Sequence, residues 1–213
     1  MGALGQLARR VAAMSLRFER KLPLRLEEGF FVVPHLLAHP LAFREAYPDR
    51  VVRNLYFDTE DLRAFALHLS GAPARAKWRL RAYDTEAWRV LEEKRKSGEF
   101  GEKLYHDPRA ALAALATNSS FDHGAHRLRA SLENSYLRSY WQSSCGRIRV
   151  TLDRELRYRS PGEALWAHDS GVAALLEVKY ALMDAQLGET FLKSLPFRVQ
   201  RFSKYVRGVQ LCR

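Results

Sequence analysis

Between Ala74 and Tyr83 the chain reads Ala-Arg-Ala-Lys-Trp-Arg-Leu-Arg-Ala-Tyr, with a cation at every second position. A β-strand sends successive side chains to opposite faces, so Arg75, Lys77, Arg79 and Arg81 share one face. Ala74, Ala76, Trp78, Leu80 and Ala82 share the other. Cations repeated along one pleat stand roughly 7 Å apart and repel one another. Such a row suits a water-screened edge strand that discourages aggregation, or a face that a polyanion neutralises.

The alternation recurs. From Ser15 to Leu24, Arg17, Glu19 and Lys21 face one side, while Leu16, Phe18, Leu22 and Leu24 mostly face the other, with Arg20 out of pattern. Val51 to Phe57 reads as a strand by its β-branched and aromatic content. Trp88 to Lys96 puts Glu92, Lys94 and Lys96 on one face, ahead of a turn at Ser97 to Gly101 and of Lys103. Asn134 to Gln142 opposes Tyr136, Arg138 and Tyr140 to Leu137 and Trp141, and Arg147 to Arg159 alternates most cleanly. Val172 to Leu182 sets Glu177 and Lys179 against Leu176, Val178 and Tyr180. Helices are expected at 34–47, opened by Pro34 and interrupted at Pro40, and after the N-cap signal Asp58-Thr59 as far as Leu69. Further helices are expected at 109–116, 123–132 and 187–195, with a last short segment ending near Leu211.

Apolar strand faces covered by helices define an α+β protein, whose charged faces must go somewhere. An open sheet leaves them in water, whereas a closed antiparallel barrel turns them inward to make a basic, water-filled tunnel. The charged positions are nearly all Arg, Lys and Glu rather than Ser, Thr, Asn and Gln, which favours the closed arrangement. The 213 residues suffice for one good-sized domain or two small ones, and the formal charge of +11 calls for an anionic partner. No apolar run approaches the roughly 18 residues of a membrane span, and Met1 to Met14 reads as a short amphipathic helix without a signal-peptide core. Cys145 and Cys212 make no disulfide framework, consistent with a reducing cytosol, and the seven histidines show no zinc spacing and read as structural or exposed. Ser203 has no evident His-Asp partner and is not read as a nucleophile. Trp78, Trp141 and Tyr158 fall on apolar faces, which counts against nucleic-acid binding by interleaved aromatics and cations.

Three acid-x-Lys pairs share strand faces: Glu19 with Lys21, Glu92 with Lys94, and Glu177 with Lys179. Any one of them is explained by charge balance on an exposed strand. Three together, set among many cations, suit a hard divalent ion held by carboxylates while Lys and Arg hold phosphate oxygens. Phosphoryl transfer needs little more than such positioning and charge neutralisation.

In chain order these features are Arg17-x-Glu19-x-Lys21, Asn54-Leu55-Tyr56-Phe57-Asp58-Thr59, Arg75-x-Lys77-x-Arg79-x-Arg81-x-Tyr83 and Glu92-x-Lys94-x-Lys96. Tyr136-x-Arg138, Val150-Thr151-Leu152-Asp153, Glu177-x-Lys179-Tyr180 and Phe202-Ser203-Lys204-Tyr205 follow. The series resembles the VTC domain, the polyphosphate polymerase module of the triphosphate tunnel metalloenzyme superfamily, which also includes CYTH-type triphosphatases. The resemblance implies one domain over residues 1–213, a closed antiparallel barrel of about eight strands with helices packed outside. It implies a cytoplasmic, metal-dependent transferase that moves the γ-phosphate of a nucleoside triphosphate such as ATP onto polyphosphate, with Mn2+ or Mg2+ as cofactor. Nucleic acid is not an expected partner; association with a membrane partner stays open. By that similarity Lys21, Arg79, Arg81, Arg138, Lys179 and Lys204 are catalytic, and Arg75, Lys77, Lys94, Lys103, Tyr136, Arg149 and Arg201 bind phosphate. Glu177 is the main metal ligand, with Glu19. CYTH triphosphatases carry a glutamate where this chain has Arg17, which points to the polymerase branch. The alternatives are a triphosphate or polyphosphate hydrolase of the same fold, and a non-catalytic binder of polyphosphate or nucleic acid.

Overall fold

The alternating segments form one antiparallel sheet in the computed structural model, which describes residues 17–98 and 100–213. The strands are β1 (Arg17–Leu24), β2 (Arg44–Asp58), β3 (Ala74–Tyr83), β4 (Leu91–Ser97), β5 (Phe100–His106), β6 (Ser120–His123), β7 (His126–Gln142), β8 (Ile148–Arg159), β9 (Ala167–His168) and β10 (Ala174–Ala181). The helices are α1 (Leu26–Ala38), α2 (Arg63–Ser70), α3 (Arg109–Ala116), α4 (Ala185–Ser194) and α5 (Lys204–Leu211). Hydrogen-bonded order runs β1-β10-β8-β7-β2-β3-β4-β5, with β6 beside β7 and β9 beside β8. The path has two ends, so among the described residues the sheet is open where a closed barrel was expected. Its terminal strand β5 carries Glu102 and Lys103, charges of the kind that blunt an edge against further pairing.

The chain divides into two compact units. The first comprises the described residues up to Asp49 with Ser139–Asp153 and Gly171–Arg201; the second comprises Arg50–Arg138, Arg154–Ser170 and Phe202–Arg213. In the first unit, β1 and β10 pair over their full lengths. Their apolar faces bury Leu22, Leu24, Leu176 and Val178 with Ile148 and Val150 of β8, Leu36 of α1 and Phe191 of α4. Each such side chain contributes about 1.5–3 kcal/mol on burial. A Cβ on Gly188 of α4 would fall 2.5 Å from the Tyr180 ring, so only glycine lets the helix approach this closely. Arg20, the residue out of pattern in β1, is held at the core's rim by Tyr180 and by Glu189 of α4.

The helix expected at 34–47 lies earlier, at Leu26–Ala38, with Pro34 inside it. Its start is set by Glu28, whose carboxylate accepts the Arg25 backbone N–H at 2.7 Å. Pro34 cannot donate to the Phe30 carbonyl, a loss met on an exposed turn where water can replace it. Pro40 does what its chemistry requires, holding His39 extended so that the helix stops at Ala38.

In the second unit β3 occupies Ala74–Tyr83 as expected, with Trp78, Leu80 and Ala82 buried and the four cations half-buried on the other face. The helix expected at 123–132 is instead a β6–β7 hairpin turned at Gly124, which has φ +58°. Asp58 is fully buried and caps α2 from a distance, accepting the N–H groups of Ala64 and Phe65 at 2.8 and 2.9 Å. The Tyr205 hydroxyl donates to the same carboxylate at 2.6 Å, which ties α5 to this point. Tyr205 also stacks on Tyr56, on the face of β2 that adjoins Arg79, so α5 packs against the cation-bearing face. The expectation that every helix lies outside therefore fails for α5, whose aromatic surface finds its partners on that face. No helix among the described residues is long and apolar enough to cross a membrane. The amphipathic segment expected at Met1 to Met14 lies outside the described residues.

Candidate functional site

Register decides which charges meet. In the second unit Lys77 stands directly opposite Lys94, and Lys94 directly opposite Lys103, so three lysines form a row across β3, β4 and β5. Arg75 likewise stands opposite Lys96. Like charges in directly opposed positions destabilise a sheet by about 0.2–1 kcal/mol per pair. Arg79 instead opposes the buried carboxylate of Glu92, which it holds through Nη2 at 2.7 Å and Nε at 2.8 Å. Lys103 reaches the other oxygen of Glu92 at 3.5 Å. Burial alone would raise the Glu92 carboxyl, but Arg79, Arg81 and Lys103 hold it at about 2. Lys103 is lowered, by burial first and then by Arg79 and Arg81, against the pull of Glu92.

Around this pair sit groups that orient the cations. Tyr56, opposite Arg79, accepts from its guanidinium at 3.4 Å. Asn54, opposite Arg81, accepts at 2.8 Å and passes its own amide N–H to Asn134 at 2.7 Å. Arg81 also donates to the Tyr136 hydroxyl at 3.3 Å, while Arg138 and Lys204 lie over the Tyr136 ring at 5.2 and 4.7 Å. Three cations thus share one buried tyrosine, with Arg138 and Lys204 under 10% exposed. Ser203 caps α5, accepting from Val206, and presents its hydroxyl to Lys77 at 3.5 Å.

The first unit holds a different arrangement. Glu19 opposes Lys179 and Lys21 opposes Glu177, so acids and lysines alternate in a two-by-two block on β1 and β10. The ammonium of Lys21 lies 3.3 Å from Glu19 and 3.8 Å from Glu177, and Lys179 lies 3.1 Å from Glu177. Glu177 is buried and Glu19 partly so.

A sequence model of the VTC domain matches residues 30–122 and 101–213 of this chain. The chain belongs to the VTC domain family. Its fold is that of the triphosphate tunnel proteins, with solved structures of similar architecture from three organisms. A candidate adenylate cyclase from Bacillus halodurans aligns at 14% identity and TM-score 0.56, over 90% of this chain and 96% of that one. A second from Vibrio parahaemolyticus aligns at 12% and 0.54, over 90% and 97%. A candidate adenylyl cyclase from Hippeastrum, described as having a dominant triphosphatase activity, aligns at 18% and 0.53, over 90% and 94%. At these identities the likeness concerns fold alone. A comparison with curated protein sequences finds no match.

In this VTC domain the structure gathers Arg79, Arg81, Arg138, Lys204 and Tyr136 closely, and lines up Lys77, Lys94 and Lys103 beside them on the same strand faces. Arg75 shares the β3 face and donates to the Ala72 carbonyl. Lys21, Lys179, Glu19 and Glu177 gather within the first unit, where Arg149 and Arg201 are both exposed. Reasoning from the sequence gave no role to Tyr56 and Asn54, though their positions two apart on one strand face were the available signal. The VTC family implies a divalent ion, and the donor set of Glu19 and Glu177 fits one. Two carboxylates approaching a common lysine supply the hard oxygen ligands that Mn2+ and Mg2+ take.

Proposed function

We propose that this VTC domain is a metal-dependent polyphosphate polymerase that transfers the γ-phosphate of a nucleoside triphosphate to a polyphosphate chain. The observation that carries the reading is the opposed row Lys77, Lys94 and Lys103, flanked by Arg75 opposite Lys96. A chain of phosphates matches such a row, since its repeating charges need a repeating partner. The row exceeds what one phosphate group requires.

Arg79, Arg81, Arg138 and Lys204 hold phosphate oxygens and stabilise charge on the transferring group. The terminal oxygen of the acceptor chain, ionised near neutral pH, attacks the γ-phosphorus. The bond from that phosphorus to the β–γ bridging oxygen breaks, and nucleoside diphosphate leaves with the electron pair. No general base is needed. Glu92 is unsuited to that role, since its partners keep it ionised and weakly basic at about 2. Glu177 and Glu19 would hold a Mn2+ or Mg2+ ion, and the chemistry such an ion would supply is neutralisation of phosphate charge.

Incubation with Mn2+, nucleoside triphosphate and a short polyphosphate primer tests the reading. Long-chain polymer, nucleoside diphosphate and acceleration by the primer are expected. A triphosphatase is the second reading, favoured by the activity described for the Hippeastrum neighbour. Free phosphate in proportion to nucleotide consumed, without polymer or priming, selects it and overturns the first.

A further inference from the structure

Glu93 lies on the opposite face of β4 from Glu92, Lys94 and Lys96, directly across from Trp78 and Leu104, and is only 3% exposed. A carboxylate among apolar neighbours needs strong partners. One oxygen accepts from Arg95 Nε at 2.6 Å. The other accepts from Arg95 Nη2 at 3.3 Å and also faces two imidazoles, with His106 Nε2 at 2.9 Å and His123 Nε2 at 3.5 Å. His106 ends β5 and His123 ends β6, so three strands bring these side chains together. Their rings meet edge to face, 4.4 Å between centroids, and the Trp78 ring borders His123 at 6.4 Å. One ligand atom from each of the three residues lies within 4.8 Å of the others.

A carboxylate oxygen accepts two hydrogen bonds, yet here two imidazole nitrogens and an Arg95 nitrogen crowd one oxygen, with three potential ligand atoms within 4.8 Å of one another. Four ligands placed tetrahedrally around zinc are about 3.3 Å apart, given zinc–ligand bonds of about 2.0–2.1 Å. The observed separations of 2.9 and 3.5 Å bracket that edge. Arg95, which donates to both oxygens through Nε and Nη2, orients the carboxylate as an outer-shell partner does in metal sites. Both imidazoles are partly exposed, which gives an ion access from solvent and leaves a fourth position to water.

We propose that Glu93, His106 and His123 form a binding site for a zinc-class divalent ion, distinct from the carboxylates of Glu19 and Glu177. Two nitrogen donors and one oxygen donor favour zinc, cobalt, nickel or copper over magnesium. The site is independent of the proposed polymerase reaction, because Glu93 lies on the other strand face from the phosphate-facing cations.

Cobalt(II) titration of the full chain, followed by visible absorption, tests the site. One equivalent is expected to give the intense bands of a four-coordinate ion, and zinc to abolish them. His106→Gln and His123→Gln should each weaken binding more than tenfold, whereas Glu177→Gln should leave the spectrum unchanged. X-ray absorption of the zinc-loaded, unsubstituted chain gives a readout that does not depend on a variant folding, and should show two imidazoles in the zinc shell. Absent bands, bands that survive both histidine substitutions, or an all-oxygen zinc shell would overturn the assignment.

Discussion

The Arg79–Glu92 pair offers a quantitative test of how the cation face is held together. Both side chains are largely buried, at 12% and 9% exposure, and the guanidinium grips one carboxylate oxygen through two nitrogens. The gap between the ordinary 4.5 and about 2 for Glu92 corresponds to about 3 kcal/mol of interaction favouring the ionised form. Burial opposes that form, Arg79 is its largest support, and Arg81 and Lys103 share the remainder. A double-mutant cycle of Arg79→Met and Glu92→Gln should therefore give a coupling of about 2 kcal/mol. Arg79→Met alone should cost about 3 kcal/mol or more because it strands a buried charge. That loss lowers the melting temperature by roughly 6–12 °C in a chain of this size. The folded-state pKa is depressed, so the contribution is present in full above about 4.5 and is lost as pH falls towards about 2. Urea titrations of the four proteins at pH 7 and at pH 3 measure both quantities. A coupling below about 0.5 kcal/mol, the scale of an exposed ion pair, or one that does not change with pH, would refute the reasoning.

Tripolyphosphate should raise the melting temperature more than monophosphate at matched ionic strength, and equal shifts would reduce the lysine row to a generally basic surface. Glu177→Gln should lower polymer synthesis by roughly 10² or more while leaving metal-free tripolyphosphate binding detectable by calorimetry; retained activity would move the metal role elsewhere. Lys103 is lowered by burial and by its arginine neighbours, so an arriving anion should raise it; calorimetry near pH 9 in buffers of different ionisation heat should then report proton uptake on binding. Gly208→Ala places a methyl 2.5 Å from Leu132 and the Tyr158 ring. It should cost about 1–3 kcal/mol by overpacking, and an unshifted urea midpoint would mean that α5 moves aside freely.

How much of this was legible in the chain depended on whether one period dominated a segment. β3 was, because its cations alternate strictly with Ala, Trp and Leu. Residues 123–132 were misread because Leu128 and Leu132, four apart, satisfy a helical period as well as an alternating one. Gly124 carried the deciding turn signal. The α1 boundary was lost to Pro34, whose preference for helix starts was overridden by the cap that Glu28 supplies. Same-strand spacing correctly paired Glu19 with Lys21 and Glu177 with Lys179. It gave no sign that Arg79 and Lys103 also reach Glu92, because cross-strand register brings them there and register is not written in one strand. For the same reason Glu93, His106 and His123, spread over three strands at no metal-site spacing, read as unrelated residues.

Neither compact unit is a continuous stretch of chain, and this bears on how the protein can be made or cut. The first unit joins β1 to β10 across most of the chain's length, since Glu19 and Lys21 find Lys179 and Glu177 only there. During synthesis β1 therefore waits without its partner until β10 has emerged, long after every strand of the second unit's β3–β4–β5 ladder is available to pair. A fragment ending before residue 171 would have an unmatched first strand and half of the acid-lysine block. Excising either unit as a single segment would remove strands from the other.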